Sequence, residues 1–428
     1  MNKNLAAMTP PMGFNTWDCY GAGVNEAQLL ANAAYMRENL LPYGWEYVVC
    51  DIQWYEPTAD SCAYHNFTEL CMDSYSRLLP AENRFPSAAG GRGFAPIAEK
   101  IHAMGLKFGV HLMRGIPRQA VHRNTPTVTP GVTARDLAQG YAVGPGNTDM
   151  YEVNPDAPGA QAYYDSVFAL FAQWGVDYVK VDDIANTEFK PQEPYSAARE
   201  IEMICRAIDR SGRTMVLSLS PGPAPLSAAA HLRQYANLWR MSGDFWDVPE
   251  ALTKMFGLCA QWYPYVSPGC WPDCDMLPLG TLQLTEKDPR YRARKTRFTP
   301  EEQISLMNLW CIFRSPLMMG GELTLNDDFT LSLLTNRELL ALDQASTENR
   351  PLVSDAEKAV WTCRDAAGRP VFAAFNLKNE PQSVAVDTGA AAPYITFDLW
   401  TKEKTSRAAS VLTFPLAPRA STVFRIEA

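Results

Sequence analysis

The stretch Trp174-Gly175-Val176-Asp177-Tyr178-Val179-Lys180-Val181-Asp182-Asp183 decides the fold class. Residues 178–182 form a short, mostly apolar run of the length and β-branched character of a buried strand. A helical pattern over 159–174 precedes it, and two acids end it. Helix, strand and then polar loop is the repeat of a parallel α/β protein, in which chemistry collects on the loops after the strands.

Working outward, the same unit recurs. Strand-like runs are read at 12–17, 47–54, 107–113, 215–220, 238–243, 263–267 and 311–316, with helical stretches between them such as 26–41, 96–104 and 195–211. With 178–182 this makes eight strands, and eight argue for closure into a (β/α)8 barrel. Beyond about Gln344 the pattern changes to short β-type runs separated by turn signals, at 359–363, 370–377, 383–386, 394–400, 411–414 and 421–426. The expected organisation is a catalytic TIM barrel over residues 1–344 followed by an antiparallel β-sandwich domain over 345–428. Two connections, 55–93 and 114–154, are long. Long loops that follow strand ends are expected to shape a pocket.

Composition narrows the function. Apolar residues make up 47% of the chain and charged residues 20%, as in ordinary globular proteins. The net charge of −9, with no Lys/Arg-rich run, argues against nucleic-acid or anionic-membrane partners. No 18-residue apolar stretch suggests a membrane span, and no apolar signal core follows the first residues, so a cytoplasmic location is expected. The ten cysteines are scattered, mostly inside apolar segments, and read as free thiols. Cys270 and Cys274 have no second Cys/His pair beside them, so no metal and no cofactor are expected. Asn66-Phe67-Thr68 matches a glycosylation sequon by chance in this setting. Homo-oligomerisation is compatible with the sequence.

Acids gather at the predicted strand ends: Asp51, Asp182, Asp183, Asp244, Asp247, Asp273 and Asp275. Tryptophans interleave with them, at Trp17, Trp54, Trp239, Trp246 and Trp271. Aromatic faces pack on the apolar face of a sugar ring, and carboxylates accept its hydroxyl hydrogens. The combination suggests a carbohydrate pocket.

Five motifs, in order, sharpen this reading. They are Pro10-Pro11-Met12-Gly13-Phe14-Asn15-Thr16-Trp17, Trp174 to Asp182, Trp239-Arg240-Met241-Ser242-Gly243-Asp244, Trp271-Pro272-Asp273-Cys274-Asp275-Met276-Leu277 and Ser315-Pro316-Leu317-Met318-Met319-Gly320-Gly321. Together they resemble glycoside hydrolase family 27, the α-galactosidase and α-N-acetylgalactosaminidase family. The resemblance implies a retaining, exo-acting hydrolase of terminal α-galactosyl-type residues on an oligosaccharide or glycoside substrate. It makes Asp182 the nucleophile and Asp244 the acid/base, two carboxyls expected about 5–5.5 Å apart. Lys180, two residues before Asp182, points the same way in a strand and would keep it ionised. Arg240 would contact a hydroxyl near the reaction centre. Trp17 and Asp51 would line the sugar subsite, with Asp275 close by. Asp183 and Asp247 read as loop caps and Asp273 as structural.

Three departures bear on the sugar. The family usually carries two adjacent aspartates where this chain has Asp51-Ile52, and Ile52 can neither donate nor accept a hydrogen bond through its side chain. His111 stands where the family commonly has Tyr, and is expected to bind a hydroxyl. Ser220 and Ala224 resemble the arrangement that admits an acetamido group. N-Acetylgalactosamine, β-L-arabinopyranose and isomaltose-type glucose are therefore alternatives to galactose. Outside hydrolysis, a metal-dependent barrel isomerase or aldolase would use Asp51, Asp182 and Asp244 to hold a cation, and a silent sugar-binding protein would bind without turnover.

Overall fold

The computed structural model describes residues 2–144, 146–187 and 190–427. Eight short parallel strands form one sheet: β1 (Met12–Asn15), β2 (Tyr47–Cys50), β3 (Lys107–Met113), β4 (Tyr178–Asp182), β5 (Val216–Leu219), β6 (Leu238–Arg240), β7 (Trp271–Asp273) and β8 (Leu317–Met319). Their spatial order is β7-β6-β5-β4-β3-β2-β1-β8. The last seam closes just past β7, where Leu277 N–H donates to Met318 O at 2.8 Å and Leu277 pairs with Met319. This is the (β/α)8 barrel expected from the repeat.

The strands lie close because glycines admit it. A Cβ on Gly13 of β1 would come within 2.4 Å of the Tyr47 carbonyl of β2, and one on Gly109 of β3 within 2.9 Å of Val49. Helices Glu26–Asn39, Ala95–Ala103, Ala160–Trp174 and Ala198–Ser211 cover the outside. Asn25 and Gln28 form a capping box at the first of them, which fixes its start.

Two strands lie elsewhere than the apolar runs suggest. Residues 263–265 form a 3-10 turn after helix Pro249–Trp262, and the seventh strand follows at Trp271–Asp273. Pro264 holds the turn and cannot join a ladder. Residues 311–313 are the last turn of helix Pro300–Phe313, and the eighth strand starts at Leu317. An apolar run alone does not separate a buried helix from a strand. This helix is apolar nearly all round because it is buried nearly all round, from Glu302 to Phe313 apart from Ile304. The signal that distinguishes it is the capping box between Thr299 and Glu302.

After helix Arg337–Ala345 the chain is antiparallel. A six-stranded sheet and a two-stranded one (Gln382–Asp387 with Val411–Leu416) enclose a second core of Val360, Phe372, Val384, Val386, Leu412 and Phe424. The other face of the large sheet, through Trp361, Ala373 and Phe375, joins the main core. Strands Thr347–Ser354 and Lys404–Arg407 are additions to the expected set, and both are polar and largely exposed edges without alternation strong enough to read. Among the described residues, no helix is long and apolar enough to cross a membrane.

The two long connections are built, not slack. Arg84 is buried in the first of them and donates to four backbone carbonyls: Gln53 and Glu56 at 2.7 and 2.8 Å, Ala22 and Val24 both at 2.5 Å. The second contains a three-stranded sheet of Ile116–Pro117, Ala138–Gly144 and Asn147–Val153. Asp149 of that sheet accepts from Gln53 (2.7 Å), Tyr55 (2.8 Å) and Asn147 (3.1 Å), which ties both excursions to the end of β2. Replacing Arg84 by Leu strands four buried carbonyls, each an uncompensated desolvation. The variant should lose on the order of 3 kcal/mol of stability, read as a depressed thermal midpoint; an unchanged midpoint would refute the anchoring role.

Candidate active site

The site is at the carboxyl ends of the barrel strands. In β4, Lys180 and Asp182 are two residues apart and so share one side of the sheet. Register places His111 of β3 beside Lys180, and Met113 beside Asp182. Asp51 follows β2 directly and is fully buried. The Lys180 ammonium lies 3.0 Å from Asp51 Oδ2 and 3.7 Å from Asp182 Oδ2, bridging two strand ends. Asn15, at the end of β1, donates its amide to the same Asp51 oxygen at 2.7 Å. The other oxygen, Oδ1, accepts the Ile52 N–H at 2.9 Å, so Asp51 is held from three sides.

Asp182 is equally constrained. His111 Nε2 is 2.8 Å from its Oδ2, and the Ser220 hydroxyl donates a short hydrogen bond to its Oδ1. Burial disfavours the charge, but Lys180, His111 and Ser220 outweigh it and hold the carboxyl well below the usual carboxylate range. Burial likewise opposes the Lys180 charge, and the attraction of Asp182, Asp51 and Asp244 holds its pKa well above the ordinary lysine value. The sequence suggests that His111 meets a hydroxyl of the ligand; its Nε2 instead engages the Asp182 carboxylate. Its Nδ1 is buried and unpaired among the described residues. Ser220 is likewise engaged with Asp182.

Asp244 lies on the loop after β6 in the opposite environment, its side chain 62% exposed. Arg240, at the end of β6 and 3% exposed, reaches it at 3.3 Å and meets Asp275 Oδ2 at 2.5 Å. Asp275 also accepts the backbone N–H groups of Phe245 and Met276, both at 2.7 Å. Burial pushes its pKa up to about 7 against the pull of Arg240, with Asp244 and Asp273 adding to the rise. Asp273 accepts the Asp275 N–H at 2.8 Å, and Asp247 takes both guanidinium arms of Arg294; these two acids are scaffolding. Asp183 receives Arg114, whose other arm reaches Glu200 at 2.7 Å, in a buried network beside the site.

The tryptophans divide. Trp54, Trp239 and Trp271 are fully buried core, and Trp54 donates to the His111 carbonyl. Trp17 is half-buried, and its backbone N–H donates to Asn15 Oδ1 at 2.9 Å. Two residues of the site escape a reading of the sequence. Tyr64, from the 55–93 connection, packs on Trp17 with ring centroids 5.4 Å apart. Asp18 is buried with Oδ2 unpaired among the described residues, and burial followed by Asp275 and Asp244 pushes its pKa well above the usual range. Asp18 directly follows Trp17 in a strand-end motif, and that position is a signal for it. Tyr64 carries no such signal.

Ligand atoms of Asp51, His111 and Asp182 lie within 4.8 Å of one another, a set with metal-binding chemistry. Lys180 already supplies the positive charge there, hydrogen-bonded to Asp51. A divalent ion would have to displace it, so the donor set fits an ammonium-neutralised carboxylate pair better than a metal centre. Chemically, the arrangement offers an ionised, positioned carboxylate at Asp182 and a solvent-exposed carboxyl at Asp244.

Residues 147–345 match a family model described as alpha galactosidase A. Alpha-galactosidase 2 of Arabidopsis thaliana is 26% identical over 364 residues, spanning 84% of this chain and 73% of the relative. Among solved structures, a GH27 β-L-arabinopyranosidase of Geobacillus stearothermophilus is 52% identical with a TM-score of 0.96, covering 100% of this chain and 98% of its own. A variant of that enzyme has been solved with arabinose. A Bacillus halodurans structure, provisionally described as an α-N-acetylgalactosaminidase, is 46% identical with a TM-score of 0.87, covering 98% of this chain and 97% of its own.

The Asp275 setting has a pH signature. In the native protein its carboxyl keeps a proton up to about 7, whereas in the unfolded chain it ionises near 4. The native state therefore binds more protons between those values. The stability this group contributes is complete below about 4 and is lost as pH rises through about 7. Relative to Asp275→Asn, which cannot titrate, the wild-type thermal midpoint should fall progressively over that window in differential scanning fluorimetry. Parallel curves would refute the assignment.

Proposed function

The chain belongs to glycoside hydrolase family 27, and on that footing we propose that it is a retaining, exo-acting β-L-arabinopyranosidase. That it is a glycoside hydrolase follows from the family. The sugar is our inference, and the observation that carries it is Ile52. β-L-Arabinopyranose has the ring stereochemistry of α-D-galactopyranose without the exocyclic hydroxymethyl group. In place of the family's second aspartate, Ile52 is fully buried and offers only its backbone N–H, which is engaged by Asp51. An apolar group there gives a hydroxymethyl nothing to bind. The 52% identity across the whole chain to a β-L-arabinopyranosidase supports the same reading.

In the reaction, Asp182 attacks the anomeric carbon and Asp244 protonates the departing glycosidic oxygen. Asp244 then deprotonates the water that releases the sugar, restoring both groups. Lys180, His111 and the Ser220 hydroxyl keep Asp182 ionised and aimed. Because Ser220 is engaged with the nucleophile, it is poorly placed to greet an acetamido group, which weighs against N-acetylgalactosaminidase activity. α-Galactosidase activity is the second reading, supported by the matching family model. The ten free thiols suit a reducing compartment, and we place the enzyme in the cytoplasm.

The test is a panel of 4-nitrophenyl β-L-arabinopyranoside, α-D-galactopyranoside, α-N-acetylgalactosaminide and α-D-glucopyranoside. The arabinopyranoside should give the highest kcat/KM, and a higher value for the galactoside would install the second reading. NMR of the first-formed product should show the β anomer; the opposite anomer refutes retention. Asp182→Ala should lower kcat at least about a thousandfold, and near-normal turnover would sink the nucleophile assignment. Ile52→Asp restores an acceptor and should shift the kcat/KM ratio toward the galactoside by about tenfold or more. An unmoved ratio would remove Ile52 from the specificity argument.

A further inference from the structure

Most groups of the site come from strand ends, but one aromatic reaches it from a connection. The Tyr64 ring sits 5.4 Å from that of Trp17, tilted by 34°. Gly146, at the tip of the hairpin Ala138–Gly144 and Asn147–Val153, meets the same ring: a Cβ there would lie 3.9 Å from it. The segment carrying Tyr64 is tied down just after it. Phe67 N–H donates to Thr148 Oγ1 of the hairpin at 2.7 Å, and the Gln119 amide holds both N–H and carbonyl of Leu70 at 2.8 Å. Tyr64 is thus set in place before a ligand arrives.

Its phenol lies within electrostatic reach of the charged groups of the site. Burial, then Asp182 and Asp51, oppose its ionisation, Lys180 favours it, and Asp244 adds to the opposition. Those four residues are the two proposed catalytic acids and the ion pair of Lys180 with Asp51. Yet no hydrogen bond engages the Tyr64 hydroxyl among the described residues. By contrast Tyr55, from the same connection, is engaged by Asp149. A hydroxyl that no protein group engages among the described residues, and that is not among the buried unpaired atoms, is free to donate to a ligand oxygen.

We propose that Tyr64 contacts the bound sugar, its ring forming with Trp17 an aromatic corner of the subsite and its hydroxyl donating to a sugar oxygen. This rests on the reaction centre being at Asp182 and Asp244, not on which sugar is preferred. The corner is assembled from a strand end and a loop, so the 55–93 connection shapes recognition directly.

The experiment pairs Tyr64→Phe and Tyr64→Ala with two readouts. One is kcat and KM on 4-nitrophenyl β-L-arabinopyranoside and α-D-galactopyranoside. The other is the affinity of free L-arabinose and D-galactose, measured by calorimetric titration, which needs no turnover. Tyr64→Ala should weaken the better free sugar about tenfold or more and Tyr64→Phe about threefold or more, with KM rising more than kcat falls. If Tyr64→Ala does not fold, Tyr64→Phe keeps the ring packing and decides through the hydroxyl. Wild-type affinity for free sugar in a folded Tyr64→Phe overturns the hydroxyl contact. A raised KM with unchanged free-sugar affinity places Tyr64 on the leaving group and also overturns it. A wild type that binds sugar without turning it over would count against the proposed reaction alone, and the titration would still decide the role of Tyr64.

Discussion

The strand-end carboxylates of the site depend on one largely enclosed ammonium. Lys180 lies between Asp51 and Asp182, close to both. Each of the three charges would be costly alone in that position, by several kcal/mol. Together, with Asn15, His111 and Ser220 completing the hydrogen bonds, they form a mutually supporting group in which Asp182 and Lys180 are held charged. The grouping fixes the barrel locally. The partners come from the ends of β1, β2, β3 and β4 and from just beyond β5, so a shift of one residue in any of these strands would turn a side chain away from the pocket. Closure of the barrel and assembly of the site are therefore one constraint.

That constraint explains which parts of the site are legible in the sequence. Period two in β4 places Lys180 and Asp182 together, and acids ending several strands share one mouth; both follow from local sequence. The seventh and eighth strands are harder to place: Tyr263-Pro264-Tyr265 is a Pro-held turn and Cys311-Ile312-Phe313 is the buried end of a helix, so neither apolar run reflects strand pairing. The tryptophans mislead for a related reason. Trp239 and Trp271 sit in the motifs that carry the site's acids, yet point into the core. Position along a strand does not reveal which side of the barrel wall a large ring occupies when both sides are apolar.

Tyr64 is not legible at all, and the cause is physical. A loop side chain is located by its anchors, and here the anchors are distant in sequence: Arg84 holds four carbonyls from two segments, and Asp149 draws Gln53, Tyr55 and Asn147 together. Buried polar anchors of this kind give long connections a definite shape without helix or strand. They shape the rim by contacts separate from those that hold the strand-end acids. Ile52 belongs to this pattern, since it follows Asp51 directly but takes no part in neutralising it beyond a backbone N–H.

The two proposed catalytic carboxyls then divide by environment. Asp182 is enclosed by Lys180, His111 and Ser220, which suits a group that must stay ionised and aimed. Asp244 is mostly exposed and touched by only one arm of Arg240, which suits a group that must gain and lose a proton in each cycle. Arg240 is the arbiter between it and Asp275. Its shorter contact is to Asp275, so its guanidinium is fixed from below while Asp244 remains lightly held. A fully ionised and tightly paired Asp244 would be a poor acid. The buried carboxyl at Asp275 draws Arg240 away from it, and so keeps proton transfer available at the mouth of a site whose floor is electrostatically locked.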